Sequence, residues 1–330
     1  MSDFIRFAHA LGPEQNGTRL AQPAAISAAL ADSEPAWLHL VADHPGAAPW
    51  IDTNLDYLDP SIRAALTQPE TRPRATRVGD GLLVVLRGIN TDPGADPEDM
   101  IAIRIWLDAS RIVSLSRRSL ASVMNVSEKL SDGQGPQTSG QFLTELIEEL
   151  TVRIEGQIDD LDRRADRLEV SVVAGPQEGQ GEALSDMRLE MIDLRQFLGP
   201  QRDAIRDIVA SPAPWLDDGD LARLREQLHR MLRVVELLEA TRDRLQAIRD
   251  ELNRAMDERL NRNLYVLSVI SVVFLPLGFL TGLMGINLAG MPGASWPPAF
   301  WMFSAGLIVV SVLIVFALWW FRLVKPRDPR

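Results

Sequence analysis

The sequence predicts an α+β domain layered α/β/α, followed by long stalk helices and two C-terminal transmembrane helices. Three observations carry this reading. Strand-length apolar runs lie between turn-rich segments in residues 1–139, apolar residues recur at steps of three and four through residues 140–263, and two stretches, 264–284 and 300–321, carry no charge.

Charge is distributed as unevenly as hydropathy. The chain has 330 residues, formal net charge −11 and mean hydropathy −0.02. After Asn263 the only charged residues are Arg322, Lys325, Arg327, Asp328 and Arg330, which leaves 30 basic against 44 acidic residues in 1–263. So acidic a domain repels nucleic acid and anionic headgroups and attracts cations. The chain has no cysteine, which excludes disulfides, thiolate nucleophiles and cysteine-based zinc sites. Met-Ser-Asp-Phe-Ile-Arg has no apolar run after a basic start. A cleaved signal peptide is therefore not expected, and the soluble part is expected in the cytoplasm.

In chain order, Phe4–His9 and Ala36–Asp43 read as strands, and Leu82–Ile89 is a nearly continuous apolar run suited to a strand covered on both faces. Ile101, Ile103, Ile105 and Leu107 alternate with Ala102, Arg104, Trp106 and Asp108, and Arg111–Ser116 follows at hairpin distance. The composition of residues 90–97 predicts a loop between these runs, and 49–58 and 60–66 read as short helices.

From Gly140 the period becomes helical, with Phe142, Leu146, Leu150, Ile154, Ile158, Leu161, Ala165 and Leu168 on one stripe. Met187, Met191, Leu194 and Leu198 predict a second helix ending at Gly199-Pro200. Asp220 reads as the N-cap of a long helix, 220–263, that continues into the membrane. Leu221, Leu224, Leu228, Met231, Val235 and Leu238 have coiled-coil spacing, and the register loosens at Arg242. No Pro or Gly follows Asp220 until Pro276, where a kink is expected.

The 21 residues Leu264–Met284 give roughly 31 Å of helix, one hydrocarbon thickness. Phe300–Phe321 matches it. Arg254, Arg259 and Arg262 precede the first span, basic residues 322–330 follow the second, and the loop 285–299 is uncharged. The positive-inside rule then places both termini in the cytoplasm, with Trp296, Trp319 and Trp320 at interfacial positions. Two helices cannot enclose a path for ions, so conduction requires several copies around an axis. Asn261, Leu264, Ser268, Ser271, Leu275, Gly278, Gly282 and Gly285 recur at steps of three and four. That stripe suits either a pore lining or close helix packing.

Directly after the first span stand Gly285-Ile286-Asn287 and then Gly290-Met291-Pro292-Gly293. This resembles the CorA family of divalent cation transporters, marked by Gly-Met-Asn at the outer end of the first of two C-terminal spans. With Ile286 in place of Met, it looks like the ZntB zinc-transporter branch. Phe274-Leu275-Pro276-Leu277, Phe279-Leu280-Thr281-Gly282 and Arg87-Gly88-Ile89-Asn90 extend the likeness over the whole chain. The resemblance implies a funnel-shaped homopentamer without a cofactor in a bacterial-type inner membrane, transporting zinc or else cobalt, nickel, cadmium or magnesium. It implies that Gly285, Ile286 and Asn287 form the selectivity filter. Asn287 would hold a hydrated cation by its water shell, because a neutral carboxamide oxygen accepts from water without trapping the ion. By the same alignment Leu264, Leu267 and Leu275 are apolar gate rings and Asn261 is the cytoplasmic mouth. Gly278 stands where magnesium-transporting relatives commonly carry Thr.

His9, His39, His44 and His229 share no ligand spacing and read as core or surface residues. The acidic groups Glu145/Glu148/Glu149, Asp159/Asp160/Asp162 and Asp217/Asp218/Asp220 are candidates for regulatory cations or for solvated helix faces. No nucleophile–base pair or phosphate loop is recognisable, so no enzyme is expected. The competing function is a membrane-anchored coiled-coil scaffold or sensor, which has no need of the Gly-Ile-Asn loop.

Overall fold

The computed structural model describes residues 4–15, 17–68, 72–92, 99–175, 177–285, 293 and 296–320. It divides into an N-terminal unit, Met1–Asp250, and a C-terminal unit, Glu251–Arg330.

The N-terminal unit is built on a mixed sheet of β1 (Ile5–Ala10), β2 (Ala36–Val41), β3 (Arg74–Val78), β4 (Gly81–Gly88), β5 (Ile101–Leu107) and β6 (Arg111–Ser116) in the order β1-β2-β6-β5-β4-β3. Only β2 and β6 pair in parallel. The β5–β6 hairpin forms as expected because Asp108 Oδ1 accepts from the backbone N–H of Ser110 (3.0 Å) and Arg111 (2.8 Å), closing the turn. The sequence reading missed β3. Its Arg-Ala-Thr-Arg-Val is polar and largely exposed, as befits an edge strand whose charges discourage further pairing.

Helices cover both faces. α1 (Pro23–Ala31), α2 (Ala47–Asn54) and α3 (Pro60–Thr67) bury Ile26, Leu30, Ile51, Leu55, Ile62 and Leu66 with Leu38, Leu40, Val113 and Leu115 of the sheet. The other layer holds α4 (Ala121–Ser131), α5 (Ser139–Ala174) and α6 (Gln180–Ala210). There Trp37 packs its ring 4.6 Å from that of Phe142, and every residue of the predicted α5 stripe is buried. Neither α1 nor α4 was anticipated.

Two expectations are corrected. α6 does not end at Gly199-Pro200 but runs through Pro200 to Ala210. Proline removes one helical hydrogen bond, yet the next turn is held from outside. The Gln201 carboxamide accepts from Arg87 N–H (2.7 Å) and donates to Arg87 C=O (3.0 Å), taking over the ladder where β3 stops pairing at Arg74↔Val85. Burial of Ala204, Ile205 and Ile208 does the rest.

The second correction concerns α7 (Asp218–Met284). Asp217, not Asp220, caps it: Asp217 Oδ1 accepts from Asp220 N–H at 2.7 Å. Asp220 lies inside the first turn, against α5, where a Cβ at Gly140 would stand 1.9 Å from its carboxylate. The buried seam is Leu224, Gln227, Met231, Val234, Leu238, Thr241, Leu245, Ile248 and Leu252, an unbroken alternation of four and three. The register therefore continues past Arg242, and Leu228 and Val235 flank the seam. Thr241 fits it because its hydroxyl lies 2.9 Å from both Asp162 Oδ1 and Leu237 C=O.

In the C-terminal unit the remainder of α7 runs uninterrupted through Pro276, and α8 spans Ala299–Trp320. Both are long and apolar enough to cross a membrane, and hardly any residue of their most apolar stretches is fully buried.

Candidate pore-lining face

Burial along α7 separates two faces. Val269, Val273, Pro276, Leu277 and Leu280 are half-buried, at steps of three and four. On α8 the matching set is Phe303, Ser304, Leu307, Val310, Ser311, Ile314 and Leu318. These stripes are the more shielded face of each helix. Asn261, Leu264, Leu267, Ser268, Ser271, Leu275, Gly278, Gly282 and Gly285 are all exposed. At about 100° per residue, the centre of this second set lies roughly 170° around the helix from the first.

The small residues therefore lie on the exposed face. A Cβ added at Gly278 or Gly282 meets nothing within 4 Å. The hydroxyls on the open face are tied down: Ser268 donates to Leu264 C=O and Ser271 to Leu267 C=O, each at 2.8 Å. Their donors are spent inside the helix, so what remains for solvent is acceptor lone pairs. Acceptors are what the outward-pointing hydrogens of a hydrated cation require. Gly285 ends the helix with its N–H on Thr281 C=O (2.9 Å) and Gly282 C=O (3.1 Å). Ile286 and Asn287 lie outside the described residues, as do the basic residues 322–330.

Five carboxylates of the acidic groups in the N-terminal unit, Glu145, Glu148, Glu149, Asp160 and Asp162, are engaged in ion pairs. Glu145 and Glu149 hold Lys129 at 2.8 and 2.9 Å, and Glu148 holds Arg223 at 3.0 Å. Burial opposes charge on Glu149, but hydrogen bonds from Arg153 and Lys129 outweigh it and keep the carboxyl below its ordinary range. Asp160 pairs with Arg164 at 3.0 Å and Asp162 with Arg244 at 3.4 Å, while Asp217 and Asp220 serve the start of α7. Among the described residues no group of three or more His, Asp or Glu is arranged to hold a metal.

Two histidines are core residues. His9 lies against Gly17 C=O (3.0 Å) and the Ser127 hydroxyl (2.9 Å), and His39 against Ser114 (2.8 Å) and Ser116 (3.2 Å). Burial first, and then the charge of Arg6, push the His39 imidazole down to about 3. The half-buried face of α7 was not anticipated; the signal was its larger aliphatic residues at the same helical spacing.

Residues 32–323 match the family described as CorA-like Mg2+ transporter protein. The chain belongs to this CorA family. A CorA-family relative, the zinc transport protein ZntB of Pectobacterium atrosepticum, is 36% identical over 292 residues, 88% of each chain. The divalent cation transporter CmaX of Pseudomonas aeruginosa is 33% identical over 324 residues, 97% of this chain and 96% of that one. The structure of the full-length CmaX protein superimposes with a TM-score of 0.82 at 32% identity, covering 96% of this chain and 98% of that one. These relatives are named as transporters, and the α/β unit, long helices and two apolar C-terminal helices are the architecture of the family.

Proposed function

We propose that this chain assembles as a homopentamer around a pore that carries divalent cations, zinc first among them, across a bacterial-type inner membrane. The observation that carries the reading is the opposition of faces on α7. The side bearing Val269, Val273, Leu277 and Leu280 is partly shielded, and the side bearing Asn261, Ser268, Ser271, Gly278 and Gly282 is exposed. A monomer anchor has no use for an exposed, acceptor-lined face.

In this reading Asn261 forms the cytoplasmic mouth and Leu264, Leu267 and Leu275 form apolar constrictions. Gly285, Ile286 and Asn287 complete the outer filter. Both termini are cytoplasmic, and only the uncharged loop 285–299 faces outward. The ion passes hydrated, its water shell held by the Asn287 carboxamides and the serine lone pairs, because a neutral acceptor binds weakly enough to release. Zinc is favoured by the name of the ZntB relative, with cobalt, nickel, cadmium and magnesium as competitors. The acidic domain raises the local cation concentration at the inner mouth.

The test is metal uptake into liposomes holding the pure protein, compared across these five metals with and without a pH gradient. Saturable zinc flux is expected. Asn287→Ala should reduce it by a hundredfold or more, since five lost acceptors at about 0.5–1.5 kcal/mol each raise the barrier by several kcal/mol. Full zinc flux from an assembled Asn287→Ala pentamer would overturn the filter. A wild-type protein that carries none of the metals would leave only the scaffold reading.

A further inference from the structure

In the N-terminal unit a groove of about 510 Å³ runs along the flank of α6 and α7, and among the described residues none of α5 lines it. Leu245 is buried at its floor, and Ile192 is exposed at its rim. Arg195 and Arg242, which also line it, are engaged within the chain, both on Glu239, at 2.8 and 3.3 Å. The other two charged lining residues, Arg188 and Asp243, form no ion pair among the described residues. The groove therefore offers an apolar floor with one unpaired charge of each sign, Arg188 on α6 and Asp243 on α7.

The outer face of α5 carries the counterpart. Val152, Gly156, Asp159 and Arg163 follow at steps of four and three and are all exposed, away from the buried stripe. Glycine inside a helix costs about 0.5–1 kcal/mol relative to alanine. A Cβ at Gly156 would meet nothing within 4 Å, so the chain's own packing does not call for the smaller residue, whereas a second backbone approaching there would. Asp159 forms no ion pair among the described residues, and Arg163 has only the exposed Asp160, at 3.5 Å. Ridge and groove stand at the same height along the bundle. Glu190 of α6 is held by Gln157 (2.6 Å) and by Arg164 of α5, and Asp162 of α5 meets Thr241 of α7 at 2.9 Å. Arg188 is two residues from Glu190, and Asp243 is two from Thr241. Rotation about an axis along the bundle carries one copy onto the next without lifting it. Asp159 of one copy then comes level with Arg188 of the next, and Arg163 with Asp243. Opposite signs meet at both places.

We propose that the α5 ridge of one copy docks in the α6/α7 groove of the next, a contact between two different surfaces of the same chain that closes into a ring. This rests on the oligomer of the proposed function and not on its ion path. Gly156→Cys and Ile192→Cys are combined in the full-length protein, which has no native cysteine, and oxidised in membranes. A ladder of covalent oligomers on a non-reducing gel is expected, with none from either single variant. In that background Asp159→Arg and Arg188→Asp should each lower the cross-linked yield about tenfold, and the two together should restore it. The native mass of the unaltered protein in detergent reports separately on the oligomer. A pentamer whose double-cysteine variant gives no ladder overturns this contact and leaves the pore reading standing, whereas a monomer overturns both. An equal ladder from a single variant, charge reversals without effect, or a double reversal that restores nothing also overturns it.

Discussion

Ser271→Ala tests the open face of α7 with the smallest possible change. The Ser271 hydroxyl donates back to Leu267 C=O at 2.8 Å, so removing it leaves the helix ladder intact and deletes only an outward acceptor. In a pentamer five such acceptors vanish from one ring. Pore water can replace part of each, so the lower end of a neutral hydrogen bond, about 0.5 kcal/mol, is the appropriate value. The ring then loses about 2.5 kcal/mol, which slows passage roughly seventyfold if this ring limits the rate. Ile270→Ala is the control, because Ile270 is exposed but lies more than a quarter-turn from the centre of the stripe. Zinc flux in liposomes, normalised to assembled pentamer, measures both. Wild-type flux from Ser271→Ala, or an equal loss from Ile270→Ala, would refute the assignment of this face.

Three further outcomes follow from the same structure. Gln201→Leu leaves the buried N–H and C=O of Arg87 without the carboxamide they now share, and should destabilise the protein by about 2–4 kcal/mol in urea unfolding. A change within about 0.5 kcal/mol contradicts the role given to Gln201 in carrying α6 past Pro200. His39 is held neutral in the fold, with its imidazole near 3 against an ordinary 6.5, so between these values the unfolded chain binds the extra proton. Stability therefore falls as pH drops below 6.5, by about 2 kcal/mol at pH 5, and His39→Gln should flatten that slope in a pH series of melting curves. Asn287→Asp should tighten binding and slow release, lowering both the half-saturating zinc concentration and the maximal flux. An unchanged saturation curve argues against Asn287 meeting the ion.

Much of the fold was legible because single-face burial leaves a period. The α5 stripe from Phe142 to Leu168 is such a case, whereas the nearly continuous apolar run of β4 marks burial on both faces. Where a long-range contact decides, the local rule misleads. Pro200 reads as a stop until Gln201 is seen fastened to Arg87, 114 residues away in sequence. Gln227 and Thr241 break the apolar pattern of α7, so the spacing finds Leu224, Met231 and Leu238 but puts Leu228 and Val235 where Gln227 and Val234 are buried. Yet Thr241 is buried against Asp162, a partner no local window contains. β3 was missed because an edge strand has little apolar signal to give. At the site, the small and polar stripe was visible in the spacing alone. Whether it packs or stays open was not, since that depends on which side of α7 is shielded.

The claim that this face lines the ion path can be tested position by position, because the chain has no native cysteine. Single cysteines are placed from 264 to 284 in the assembled protein and reacted with a small, charged thiol reagent. The account predicts reaction at 264, 268, 271, 275, 278 and 282, slowed by zinc, and little at 269, 273, 277 and 280. Reaction concentrated at the latter positions, or zinc protection without helical periodicity, would contradict it.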